Sequence, residues 1–138
     1  MIAAAHRPGV IADAVTGRAG VGTVVHARQR QRRLPARKLW IAFAVGAAGT
    51  IVVDDGARRA LVSNGRSLLA AGVVDVEGSF LADDAVELAT PDGQVFAKGL
   101  VRADAAAIKD AAGKRSGDLP DGTPPWVIHR DDLVVLPD

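Results

Sequence analysis

The stretch from Ile51 to Gly78, IVVDDGARRALVSNGRSLLAAGVVDVEG, constrains the fold more than any other part of this chain. It reads as a strand, a short helix, a tight apolar turn and a second strand. Ile51, Val52 and Val53 are β-branched and suit a pleated surface. Asp54 or Asp55 can cap the helix, because a short side-chain oxygen accepts an otherwise orphaned backbone N–H. Ala57, Ala60 and Leu61 stand at i, i+3 and i+4 and give that helix one apolar face. Gly65 can end it with a positive φ. Ser67 to Val73 turns the chain back into a strand beginning at Val73, Val74 and Val76. A helix this short does not persist alone, so residues further along must cover it.

The following residues supply strands and turns. Asp83-Asp84 reads as a turn. Val86 and Leu88 alternate with Glu87 and Ala89, the pattern of a half-buried strand. Pro91-Asp92-Gly93 is a strong turn signal, and Gln94 to Arg102 returns as the second arm of a hairpin. Asp104 to Ala112 reads as a second helix, capped by Asp104 and closed by Gly113. Lys114 to Pro125 is loop, and Trp126 to His129 and Leu133 to Leu136 provide the closing strand or strands. The expectation is a mainly β fold with short helices.

The first forty residues differ in kind. Ile2 to Ala5 reads as a strand, Val10 to Val15 as a short helix or strand, and Gly20 to Val25 as a further strand. These pieces are too few to bury both faces of a sheet. Arg28 to Lys38 carries six Lys/Arg in eleven residues and includes Pro35. It reads as a solvated linker, with phosphate-backbone contact as the alternative. Leu39 to Ala44 is expected as a strand with a bulge or strand end, because Trp40 and Phe43 lie three apart. The boundaries that follow are residues 1–27, a linker over 28–38, and a domain over 39–138.

Charge follows the same division. Residues 1–40 hold eight Lys/Arg and one Asp, net +7, whereas residues 41–138 hold nine Lys/Arg and fifteen Asp/Glu, net −6. The larger part is therefore acidic, which works against a polyanionic partner. The five aromatic residues are assigned to the core, leaving no platform for stacking bases. The chain has no Cys, which excludes disulfides and thiolate metal sites. Neither a signal peptide nor an apolar run of membrane-spanning length is visible, so the expected location is cytoplasmic, with no membrane partner.

Catalytic motifs are weak. His129-Arg130-Asp131-Asp132-Leu133 looks like a protein-kinase catalytic loop but lacks the glycine-rich loop, the strand lysine and the DFG. A structural role, pinning a strand end with carboxylates that accept Arg or backbone donors, fits better. Gly113-Lys114-Arg115-Ser116 fails the phosphate-loop pattern, since Arg115 stands where Ser/Thr belongs and Ile108 where the first Gly belongs. His6, His26 and His129 have no metal-ligand spacing. The pairs Asp54-Asp55, Asp83-Asp84 and Asp131-Asp132 read as caps and turns, since adjacent side chains on a strand point apart.

The ordered set VDDGARRAL, GRSLLAAGVVDVEGSF, AVEL, GLV and VIHRDDLVVL resembles the PUA domain at the C-terminus of glutamate 5-kinase. HRPGVIADAVTGRAGVGTVVHAR resembles the end of that family's amino-acid kinase domain. The resemblance implies a PUA-like pseudo-barrel preceded by a kinase-domain remnant, so that Met1 falls within what is a core strand of the family and the chain reads as a truncated gene product, a mis-set start or a fragment. It also implies a role in ATP-dependent phosphorylation of glutamate for proline biosynthesis. ATP and magnesium would serve the full-length enzyme; none of its catalytic residues can be carried onto this chain, and no cofactor is expected here. This chain would be an accessory part, inactive alone, with a kinase domain or a second copy as partner. The alternative is an RNA-binding module. PUA domains elsewhere grip RNA near the helix and turn corresponding to Arg58 through Val73, so Arg58, Arg59, Arg66 and Gly72 are the candidate RNA or partner contacts, with weak binding expected.

Overall fold

The computed structural model describes residues 2–24, 35–119 and 124–137, and the chain divides into two units, Met1–Arg33 and Leu34–Asp138. In the first, strand β1 (Ile2–Ala3) pairs antiparallel with β2 (Gly22–Thr23), and the six-residue helix α1 (Val10–Val15) lies between them in sequence. Val21 is the one buried hydrophobic residue among those described here, and Ile2, Ile11 and Val15 are exposed. Its described residues form local structure without an apolar core of their own. Most of the basic run expected as a linker lies outside the described residues.

The second unit opens with a correction. Leu39 to Ala44, expected as a strand, belongs to helix α2 (Ala36–Phe43). Pro35 sits just before it, where its missing N–H costs nothing, and Ala36, Arg37, Lys38 and Leu39 are all good helix formers. The three-residue spacing of Trp40 and Phe43 puts them on one side of a helix, and both are exposed. Ile41 points the other way and packs with Ala85, Leu100 and Val134.

After α2 come β3 (Gly49–Val53), helix α3 (Asp55–Asn64), β4 (Leu68–Leu69), a 3-10 turn (Ala70–Gly72) and β5 (Val73–Gly78). Asp54 caps α3 by accepting the Ala57 N–H at 2.7 Å, and Gly65 ends it in the left-handed region at φ 57°. The hairpin β6 (Ala85–Ala89) and β7 (Val95–Leu100) follows. Helix α4 (Ala105–Ala111) is capped by Asp104 through the Ala107 N–H. Then come a 3-10 turn (Ser116–Asp118), β8 (Trp126–Ile128), the closing turn Arg130–Asp132 and β9 (Leu133–Val135).

Five strands form a sheet in the order β5-β3-β6-β7-β9, antiparallel except for β3 with β6. A separate antiparallel pair joins β4 to β8. Sheet and pair enclose one core that includes Ile51, Leu88 and Phe96 from the sheet, Leu68 and Ile128 from the pair, and Leu61 and Ile108 from α3 and α4. This is the mainly β pseudo-barrel with short helices. One detail departs from expectation. Strand β6 is not half-buried, since Val86 and Leu88 face the main core while Ala85 and Ala89 are also buried, and Ala85 lies under α2. The strand read as half-buried is therefore covered on both faces.

Candidate functional site

A groove of about 710 Å³ opens between α3, the turn Ala70–Gly72 and the β4–β8 pair. The geometry follows from two local features. Gly72 lets α3 lie close against the turn, for a Cβ there would stand 2.5 Å from the Ala57 Cβ. The Asp54 N–H also donates to the Gly72 carbonyl at 3.0 Å, tying the start of α3 to that turn. In the β4–β8 pair, Leu68 opposes Ile128 and Leu69 opposes Trp126, with a register shift between Leu68 and Leu69. Leu68 and Ile128 go into the core, whereas Leu69 and Trp126 stay partly exposed and line the groove.

The rim is polar. Arg66, Ser67, His129 and Arg130 line it. The Arg130 N–H donates to the Ser67 hydroxyl oxygen at 2.9 Å, joining the closing turn to the residue before β4. His129 accepts from the Asp131 N–H through Nδ1 at 3.3 Å, and its ring meets Trp126 edge-on with centroids 5.3 Å apart. The groove is thus lined by two arginines, with Trp126 at its edge and Ala57, Ala60 and Leu61 along its floor, and the Arg130 guanidinium lies 3.9 Å from the Asp131 carboxylate.

Of the residues singled out from sequence, Arg66 and Gly72 come together at this groove. Gly72 shapes it through close packing rather than by offering a side chain. Arg58 does not join them. Its guanidinium lies over the Phe96 ring at 5.6 Å from the centroid, and its Nη2 donates to Gln94 Oε1 at 3.5 Å. Arg59 is exposed on α3 and does not line the groove. Trp126, Ser67, His129 and Arg130 were missed as site residues. The assignment of the aromatic residues to the core holds for Phe80 and Phe96 and fails for the other three, because Trp40 and Phe43 are exposed and Trp126 is 37% exposed at the groove.

The His129-Arg130-Asp131-Asp132 cluster has the structural role expected of it. Asp132 is buried, and its carboxylate accepts from Arg37 Nε at 2.7 Å and from Arg102 Nη2 at 2.5 Å. Asp84 accepts from the Leu81 N–H, so that pair serves a turn. Among the described residues, no group of three or more His, Cys, Asp or Glu is placed to hold a metal ion, and no helix is long and apolar enough to cross a membrane.

Fold and groove together describe a small β module with one groove beside its first long helix, and residues 49–122 match the PUA domain family. The chain belongs to that family. Glutamate 5-kinases are among its curated relatives, and the chain is homologous to their PUA-domain region. It is 43% identical over 127 residues to the glutamate 5-kinase of Mycobacterium bovis, covering 91% of this chain and 33% of the relative. With the enzyme of Rhodococcus jostii it shares 45% identity over 118 residues, covering 86% of this chain and 32% of the relative. With that of Mycobacterium ulcerans the values are 39% over 129 residues, 94% and 34%. The chain therefore spans about a third of the length of the curated relatives it matches. Among solved structures, a PUA domain from Aeropyrum pernix is 27% identical, covering 69% of this chain and 49% of that one, with a TM-score of 0.47.

Proposed function

We propose that this chain is the accessory PUA part of a glutamate 5-kinase, serving assembly or tuning of an enzyme that phosphorylates glutamate for proline biosynthesis in the cytoplasm. The observation that carries the reading is 43% identity across 91% of this chain, confined to a third of the relative. In this reading, residues 1–27 continue the kinase body, and a kinase domain or a second copy is the partner. ATP and magnesium belong to the rest of such an enzyme. Gly113 and Lys114, the part of the sequence nearest to a phosphate loop, follow the C-terminal end of α4, the opposite end of a helix from the one that favours phosphate. The test measures ADP release with ATP, magnesium and glutamate. The chain alone should match a no-protein blank. A mycobacterial glutamate 5-kinase whose corresponding third is replaced by this chain should keep both turnover and oligomeric state. Turnover by the isolated chain, or loss of both properties in the chimera, would count against the proposal.

A second reading, contact with single-stranded RNA in the groove, is favoured by one observation: Trp126 stands beside the same groove as Arg66 and Arg130. Stacking on an aromatic face and phosphate neutralisation are what such binding uses. The net −6 of residues 41–138 opposes it, so binding should be weak and salt-sensitive.

A further inference from the structure

Helix α2 is fastened at three places to the unit it begins. At its N-terminal end, Arg37 donates to the buried Asp132 carboxylate at 2.7 Å and Lys38 Nζ donates to the Arg130 carbonyl at 2.8 Å. In its middle, Ile41 is fully buried. Beyond its C-terminal end, the largely buried Lys98 ammonium donates to the Val45 carbonyl. Both N-terminal fastenings end on the closing turn Arg130–Asp132. The same turn meets the groove on its other side, where His129 and Arg130 line it and the Arg130 N–H is held by Ser67.

We infer that α2 acts as a strap that sets the position of Arg130 and His129 in the groove, so that displacement of α2 changes the groove's polar rim. Arg130 is gripped from both sides: its carbonyl by α2, its N–H by the residue before β4. Removing the α2 contacts leaves the Asp132 carboxylate with Arg102 as its remaining close partner. A buried carboxylate that loses a donor must recruit another or admit water, and either response moves this three-residue turn. The second unit starts at Leu34 and α2 at Ala36, so α2 is the element that receives the chain from upstream. Arg37 and Lys38 are positioning residues, reaching the groove only through the closing turn.

The test uses the full chain with Arg37→Ala and Lys38→Ala combined. Amide exchange at Arg130, Asp131 and Asp132 should quicken by about tenfold, while amides of β3 and β6 change little. In a Trp40→Phe background Trp126 is the sole tryptophan, and its quenching by acrylamide should rise by about twofold on adding the two substitutions. Lys109→Ala, which removes a 4.0 Å contact with Asp75 away from this turn, should leave both readouts unchanged. Unchanged exchange in the closing turn overturns the inference. So does a rise shared equally by β3 and β6, since the contacts would then stabilise the whole fold rather than hold this turn.

Discussion

Gly72 and Ala57 are packed so closely that a methyl group on the first would stand 2.5 Å from the Cβ of the second. That contact sets the separation of α3 from the turn Ala70–Gly72 and therefore the floor of the groove. Gly72 is needed here for space, since its backbone does not occupy the positive-φ region.

Gly72→Ala should therefore cost about 1–3 kcal/mol, the usual penalty for forcing a methyl into a packed site. Gly117→Ala is the control, because nothing lies within 4 Å of the added Cβ and its φ is not positive. Urea denaturation should show a lower midpoint for the first substitution and little change for the second. Equal midpoints would mean that α3 can move away freely.

Asp132→Asn should destabilise by about 2 kcal/mol. This is below the ~3–5 kcal/mol expected for breaking a fully buried pair, because the Arg37 and Arg102 side chains are 59% and 39% exposed and partly solvated. Arg37→Ala should cost less, about 1 kcal/mol. In a double-mutant cycle the two effects should be clearly non-additive. Additivity would show that the 2.7 Å contact contributes nothing in solution.

At the β6–β7 turn, the Thr90 hydroxyl beside Asp92 holds that carboxyl below the usual carboxylate range, helped by Asp92's own backbone N–H and, less, by Arg58. A carboxyl depressed in the folded state contributes stability above its unfolded pKa and loses it as pH falls through the lower folded value. Thr90→Val should return the Asp92 titration toward the ordinary range and reduce the stability this carboxyl contributes above its unfolded pKa. An NMR titration of the Asp92 carboxyl checks the direction, and an unmoved midpoint would reassign the cause.

If the groove binds single-stranded RNA, affinity should fall steeply with salt. Arg66→Ala and Arg130→Ala should each reduce the slope of log K against log salt by about 0.7, the value for one single-strand phosphate contact. Fluorescence anisotropy of the full chain with an oligouridylate supplies the measurement. Arg58→Ala should leave the slope unchanged, because that guanidinium lies on Phe96; a drop there would move the contact away from the groove.

Much of this architecture is legible from local chemistry. Asp54, Gly65 and Asp104 declare helix ends because capping depends on one side chain and one turn. The β6–β7 hairpin declares itself through Pro91-Asp92-Gly93, with Gly93 at φ 86°. Helix α2 was misread because Leu39 to Ala44 is short and apolar, and periodicity discriminates poorly over so few residues. The groove was half legible. Arg66 and Gly72 lie in the helix–turn segment, whereas Trp126, His129 and Arg130 reach it from about sixty residues away through the β4–β8 pairing. Nothing local announces a pairing of two strands as short as these. Arg58 and Arg66 looked equivalent as charges, yet Phe96 claims one of them.

The parallel pairing of β3 with β6 bears on the order in which the chain assembles. Gly49 stands opposite Val86, with α3, β4 and β5 inside the loop that this contact closes. The β6–β7 hairpin closes across a tight turn and can form early, whereas β3 must find a partner far along the chain. Distant pairings of this kind slow folding, because loop closure is paid for before contacts repay it. Pulse-labelled exchange during refolding should show β6 and β7 protected ahead of β3. Until β3 docks, β6 presents an unpaired apolar edge, and newly made chains are most open to mispairing with one another during that interval.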